Sequence, residues 1–248
     1  MHRFYVESII AGPGEAAVLS PEESAHAARV LRLRPGEEVR LLDGLNLWTA
    51  VLETVDAKAT VARVGERCPS PEPPCRVALF QGLPKADKLE MIAQKGTELG
   101  MWELWPVQME RSVAKAADGG KKQERLSRIA LEAAKQSGRA HVPMVAPALS
   151  FDKALDKAAR EGYDCILVAW EEEHALPLSQ AVERYTRAHG VPEKALVVIG
   201  PEGGISRREW EALKARGAVS VTLGGRTLRT ETAGLCALSV LWAALGEM

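Results

Sequence analysis

Apolar and polar positions follow two rhythms along this chain. Up to about residue 67 the apolar residues fall in short, mostly alternating runs around one helical stretch. From Arg76 onward, short apolar runs trade places with longer segments of helical period. In the first part, Ser20-Pro21-Glu22-Glu23 is a helix start: an N-cap, a proline in the first turn, then acids facing the helix dipole. That helix carries His26, Ala27, Val30 and Leu31 until Arg34-Pro35-Gly36 ends it. Strands are predicted over Glu38 to Leu42, Leu47 to Thr54 and Ala59 to Val64, with turns such as Asp43-Gly44 between them. In the second part the strands are Val77 to Gln81, Trp102 to Val107, Val142 to Val145, Asp164 to Ala169, Ala195 to Ile199 and Val219 to Leu223. The helices are Ala86 to Leu99, Gln123 to Ser137, Phe151 to Glu161, Leu178 to Ala188, Ser206 to about Arg216 and Glu231 to Leu245. This alternation predicts an α/β fold, a parallel sheet with helices on both faces, preceded by a small β-rich module.

Between the two parts runs Cys68-Pro69-Ser70-Pro71-Glu72-Pro73-Pro74-Cys75. Its prolines fit neither a strand ladder nor a helix interior and favour a stiff extended spacer. The predicted division is therefore 1–67, a linker at 68–75, and 76–248. No internal repeat is visible.

Of the 248 residues, 46% are hydrophobic, ample for a packed core, and the net charge of -1 points to no particular partner. The longest apolar runs fall far short of a membrane span, and Met1-His2-Arg3-Phe4-Tyr5 leads into Glu7, not into a signal-peptide core. A cytoplasmic protein with no membrane segment is the expectation. The four cysteines have no histidine at zinc-ligand spacing, so no metal site is expected.

The chemistry concentrates between Ala195 and Ala233. After the β-branched run ending at Ile199 comes Gly200-Pro201-Glu202-Gly203-Gly204, whose glycines permit close approach of a ligand. Ser206 and Glu209 then form a capping box, and Gly217 stops the helix. The next strand leads into Gly224-Gly225-Arg226-Thr227-Leu228-Arg229-Thr230-Glu231-Thr232-Ala233, a second glycine-bearing turn entering a helix. Two such junctions in succession place two polar loops at one sheet edge, where open α/β sheets bind ligands. Neither a Walker sequence nor a G-x-G-x-x-G fingerprint is present, and Glu202 would repel a phosphate. A carboxylate suits a cationic, hydroxyl-bearing ligand, of which S-adenosylmethionine is one. The plainer alternative is that both loops are ordinary turns of a parallel sheet.

A second feature is charge. Between Arg111 and Arg139 stand eight Lys/Arg and three acids, a local +5, whereas residues 1–70 hold eight against ten. Lys121, Arg125, Arg128, Glu132, Lys135 and Arg139 fall within about 40° of one line on a helical wheel. Such a stripe is either a solvated helix face or a contact for a nucleic-acid backbone. Gly119-Gly120 ahead of it reads as a mobile entry loop.

The two C-terminal loop motifs, with Lys85-Ala86-Asp87-Lys88-Leu89-Glu90, Lys95-Gly96-Thr97-Glu98-Leu99-Gly100 and Glu132-Ala133-Ala134-Lys135-Gln136-Ser137-Gly138-Arg139, resemble the SPOUT methyltransferases. More narrowly they resemble the ribosomal small subunit methyltransferase E family, which methylates N3 of a uridine in 16S ribosomal RNA. The resemblance implies a C-terminal trefoil knot, a PUA-like β-barrel over 1–67 that binds RNA, and a methyltransferase domain over 76–248. It implies S-adenosylmethionine as cofactor, the 30S small subunit and its 16S RNA as partner, and a homodimer in which one subunit brings RNA to the other's cofactor. The cofactor pocket it points to comprises Ala169, Trp170, Ile199, Gly200, Pro201, Glu202, Gly203, Leu223, Gly224, Leu228, Thr232 and Ala233. Its RNA contacts would be His26, Arg29, Arg32, Lys85, Lys95, Arg111, Arg125, Arg128 and Arg139. Arg229 is the choice for holding the uracil oxygens, since a fixed guanidinium suits developing negative charge. Glu231 is the nearest carboxylate to accept the N3 proton, or else simply a first-turn acid of the last helix. Methylation of a ribose 2′-hydroxyl or of guanine N1, or a non-catalytic ribosome-binding scaffold, are the competing readings.

Overall fold

A computed structural model describes residues 1–115 and 120–248. The chain packs as two compact units, Met1–Glu72 with Glu132–Val142, and Pro73–Leu131 with Pro143–Met248. The break falls inside the proline-rich segment, and the first unit takes in a piece that the sequence reading leaves in the second.

The first unit is a five-stranded sheet of β1 (Arg3–Tyr5), β2 (Ala16–Val18), β3 (Glu38–Leu42), β4 (Leu47–Thr54) and β5 (Val61–Arg67), in the order β1-β3-β4-β5-β2. Only β1 and β3 pair in parallel. Phe4, Leu19, Val39, Leu41, Trp48 and Leu52 form its core. Helix α1 (Pro21–Ala25) begins as predicted, with the Ser20 hydroxyl accepting the Glu23 N–H. It does not run on as an α-helix: His26–Val30 widen into a π turn, and Arg32 takes a left-handed φ of 54°. The cause is Leu33, which turns inward to be buried and donates its N–H to Ala27.

Residues 132–142 are fixed to this unit by charge. Lys135, 8% exposed, places its ammonium 2.7 Å from Glu23 and 3.0 Å from Glu132. Arg3 donates to the carbonyls of Lys135 and Gln136 at the end of the helix, satisfying acceptors a helix C-terminus leaves open. Arg139, 5% exposed, donates from Nε to Glu72 Oε2 at 3.0 Å, while Glu72 Oε1 accepts the N–H groups of Ala140 and His141. The predicted basic stripe is thus interrupted. Lys121, Lys122, Arg125 and Arg128 are exposed, whereas Lys135 and Arg139 are interior ion-pair members.

The second unit alternates strands and helices. Its strands are β6 (Arg76–Gly82), β7 (Glu103–Gln108), β8 (Met144–Val145), β9 (Leu149–Ser150), β10 (Cys165–Ala169), β11 (Lys194–Ile199) and β12 (Val219–Val221). Its helices are α2 (Lys88–Glu98), the first part of α3 (Gly120–Ser137), α4 (Phe151–Glu161), α5 (Leu178–His189), α6 (Arg207–Lys214) and α7 (Thr230–Leu245). All pairs are parallel, in the order β12-β10-β11-β6-β7-β8, with β9 also on β7. Two buried clusters cover opposite faces, one around Leu79, Val197 and Leu238, the other around Phe80, Val198 and Trp210. Consecutive strand residues point to opposite sides, so Val197 and Val198 serve one cluster each. Gly119 lies outside the described residues, and Gly120 is the first residue of α3.

Candidate active site: a cleft at the carboxyl ends of three strands

Strands β10, β11 and β12 are adjacent, and the segments leaving their carboxyl ends enclose a cleft of about 690 Å³. The apolar strand ends Ala169, Ile199 and Val221 form its floor, and the Gly200–Gly204 and Leu223–Arg229 loops its sides. Every residue predicted for the cofactor pocket lines this cleft except Thr232, which is exposed on α7.

Local chemistry shapes both loops. Gly82 lets β6 run against the first loop, since a Cβ there would stand 2.5 Å from the Pro201 nitrogen. Gly204 has φ of 74°, and a side chain on it would overlap the Glu171 carboxylate. The predicted capping box is present: Ser206 Oγ accepts the Glu209 N–H and Glu209 Oε2 accepts the Ser206 N–H. Across the cleft, Gly224 has φ of 108°, and Cβ atoms on Gly224 or Gly225 would meet no protein atom within 4 Å. The loops are joined by Thr230, whose hydroxyl donates to the Gly200 carbonyl at 2.6 Å and accepts from Gln81 Nε2 at 2.8 Å.

Glu202 lines the cleft and is anchored from one side. Its Oε1 accepts the Lys85 N–H at 3.0 Å and lies 3.4 Å from Lys88 Nζ, while its buried Oε2 has no hydrogen-bond partner. Burial alone would raise its pKa, but the Lys85 N–H and the Lys88 ammonium outweigh it and hold the carboxyl below the usual range. Lys88 Nζ is also 3.1 Å from Glu231 Oε2. That contact is an ion pair without hydrogen-bond alignment. Glu231 therefore turns toward α2, and it is not part of the cleft lining. Arg229 is exposed at the cleft, as is Arg226, which the sequence reading did not single out.

The remaining predicted residues are scattered. In the first unit His26 packs edge-on to Phe4, with Arg29 and Arg32 exposed. In the second, Lys85 is exposed, Lys95 pairs with Glu98 at 2.8 Å, and Arg125 with Glu90 at 2.8 Å. Arg111 sits against the first glycine loop. Sequence reasoning missed Thr230, Gln81, Lys88 and Glu171. A buried glutamine closing the apolar run Val77-Ala78-Leu79-Phe80 is the one signal that was visible, since such a group needs a partner. Among the described residues no cluster of His, Cys, Asp or Glu is arranged to hold a metal ion, and no helix is long and apolar enough to cross a membrane.

The family described as "RNA methyltransferase domain" matches residues 71–242, and that described as "RNA methyltransferase PUA domain" matches residues 19–64. The chain is 36% identical to the ribosomal RNA small subunit methyltransferase E of Bacillus subtilis, over 97% of this chain and 96% of that protein. To its counterpart in Mycobacterium tuberculosis it is 35% identical, over 96% and 90%. The crystal structure of a ribosomal RNA small subunit methyltransferase E from Neisseria gonorrhoeae bound to S-adenosyl methionine is similar at a TM-score of 0.82. It is 30% identical in sequence, with 98% of this chain and 97% of that one covered.

Proposed function

The chain belongs to the ribosomal RNA small subunit methyltransferase E family, and from that premise we propose that it methylates N3 of a uridine in 16S ribosomal RNA, using S-adenosylmethionine. The observation that carries this reading is the cleft itself, in which two glycine loops and an ionised Glu202 meet at the carboxyl ends of β10, β11 and β12. The residues present fit the donor. The cleft lies in the size range of small-molecule sites. The missing side chains of Gly224 and Gly225 leave open room, and Ile199, Leu223, Leu228 and Ala233 give it apolar walls. Glu202 supplies negative charge for a cationic ligand, with one buried oxygen still lacking a donor.

When bound, S-adenosylmethionine supplies an electrophilic methyl group. What the chain does is position, neutralise and take up a proton. Arg229 lines the cleft and is exposed, and in this reading it stabilises the charge that spreads onto O2 and O4 as the N3 proton leaves. That proton passes to Glu202, the one of the two Lys88-paired carboxylates that lines the cleft. N3 lies on the pairing edge, so the uridine must be unpaired or extruded.

Residues 1–67 form the PUA-like RNA-binding domain in this reading, with Arg29 and Arg32 as its exposed cations for the RNA backbone and Lys85 and Arg128 as those of the second unit. A homodimer is supported by α7, which buries Ala237, Leu238, Leu241 and Trp242 but leaves Leu235 and Cys236 only partly buried. The cytoplasm is the compartment of this substrate. The test is methylation of small subunits lacking the modification, read by mass spectrometry of digested RNA. N3-methyluridine supports the proposal. A 2′-O-methyl nucleoside, N1-methylguanosine or no product rejects it.

A further inference from the structure

The first glycine loop is held by charged groups on two other segments, Arg111 from outside the cleft and Glu171 from its rim. Arg111, just beyond β7, donates from Nη1 to the Gly203 carbonyl at 3.3 Å. Glu171, just beyond β10, accepts the Ile205 N–H on Oε1 at 3.1 Å. The two side chains approach each other to 3.7 Å, so a cation takes the loop's carbonyl, an anion takes its N–H, and the pair closes over it. Both glycines exist for this closeness. A Cβ on Gly203 would lie 2.8 Å from Arg111 Cβ and from its backbone oxygen, and one on Gly204 would overlap the Glu171 carboxylate.

The arm bearing Arg111 is itself anchored. Glu110 N–H donates to Glu209 Oε1 at 2.8 Å, and Ser206 Oγ donates to Glu110 Oε2 at 2.7 Å. Glu209 is fully buried. The Arg111 guanidinium is also already faced by a carboxylate, that of Glu171. Phosphate contact would need a cation whose charge is not already met.

We propose that Arg111 and Glu171 form a clasp that sets the Gly203–Ile205 segment in the shape that accepts the methyl donor, making both of them positioning residues for the donor and Arg111 no contact for RNA. The inference rests on the reading of the cleft as the S-adenosylmethionine site.

The test uses full-length protein and S-adenosylmethionine in titration calorimetry without RNA, with Arg111→Ala, Glu171→Ala and Arg111→Lys. Each alanine variant is expected to weaken donor binding about five- to twentyfold, below the full worth of a hydrogen bond to a charged group because both side chains are about half exposed. The lysine variant recovers part of the loss, and the double variant loses less than the product of the singles. Amide exchange at Ile205 in donor-free protein speeds up in Glu171→Ala. The salt dependence of RNA binding stays as in the wild type. Unchanged donor affinity in both alanine variants overturns the clasp. So does a lower salt slope in Arg111→Ala joined to tighter RNA binding by Glu171→Ala, which makes Arg111 an RNA contact. Wild-type protein that binds no donor removes the reading of the cleft and the clasp with it.

Discussion

Thr230 Oγ1 lies 2.6 Å from the carbonyl oxygen of Gly200, so a single hydroxyl ties the start of α7 to the turn that follows β11. Because that hydroxyl spends its proton on Gly200, it can only accept from Gln81, which donates at 2.8 Å. Replacing Thr230 by valine keeps the shape but leaves the Gly200 carbonyl and one N–H of Gln81 without this partner, where Thr230 is 5% exposed. An unmet buried group costs about 1–3 kcal/mol. We expect Thr230→Val to weaken binding of S-adenosylmethionine about tenfold or more, and Thr230→Ser to restore it. Equal affinity of all three proteins in calorimetry would show that the bond does not set the loops.

Lys135 is expected to matter for stability and not for RNA. Its ammonium is the partner of Glu23, and both side chains are 9% exposed. Lys135→Ala strands a buried carboxylate, which costs about 3–5 kcal/mol. Denaturant unfolding should show that loss, while the salt slope of RNA binding stays put. A stable variant with a reduced slope would return Lys135 to the basic stripe.

Arg128 should behave in the opposite way. It is exposed on α3, and among the described residues it has no ion pair. Arg128→Ala should leave unfolding unchanged and lower the slope of log affinity against log salt by about one. No change in slope would take this helix off the RNA path.

How far the sequence revealed these features depends on the range of the interaction. Strand and helix order in the second unit was legible because apolar period reports burial, and the Ser206–Glu209 capping box was legible because it is local. The residues of both loops were legible because glycine marks backbone that side chains would block. What escaped was non-local. Lys88 meets Glu202 and Glu231 from a helix over a hundred residues earlier in the chain. Glu171 meets Gly204 from another strand end. A helical wheel likewise put Arg139 and Lys135 in line with Arg128, yet it carries no information on what covers each turn.

The acid behaviour of the cleft follows from Glu202. Its folded pKa is lowered, so in the folded protein it stays ionised from neutral pH down through the ordinary carboxylate range and takes up a proton only in stronger acid. Donor affinity should therefore hold from neutral pH down past the usual carboxylate pKa and fall only in stronger acid. Glu202→Gln should flatten that acid limb. A limb that persists in the variant assigns the titration elsewhere.

The most direct measurement is a crystal of this protein grown with S-adenosylmethionine. The account predicts the donor between the Gly200–Gly204 and Leu223–Arg229 loops, beside Glu202. Donor density on any other surface, or an empty cleft at saturating concentration, would contradict it.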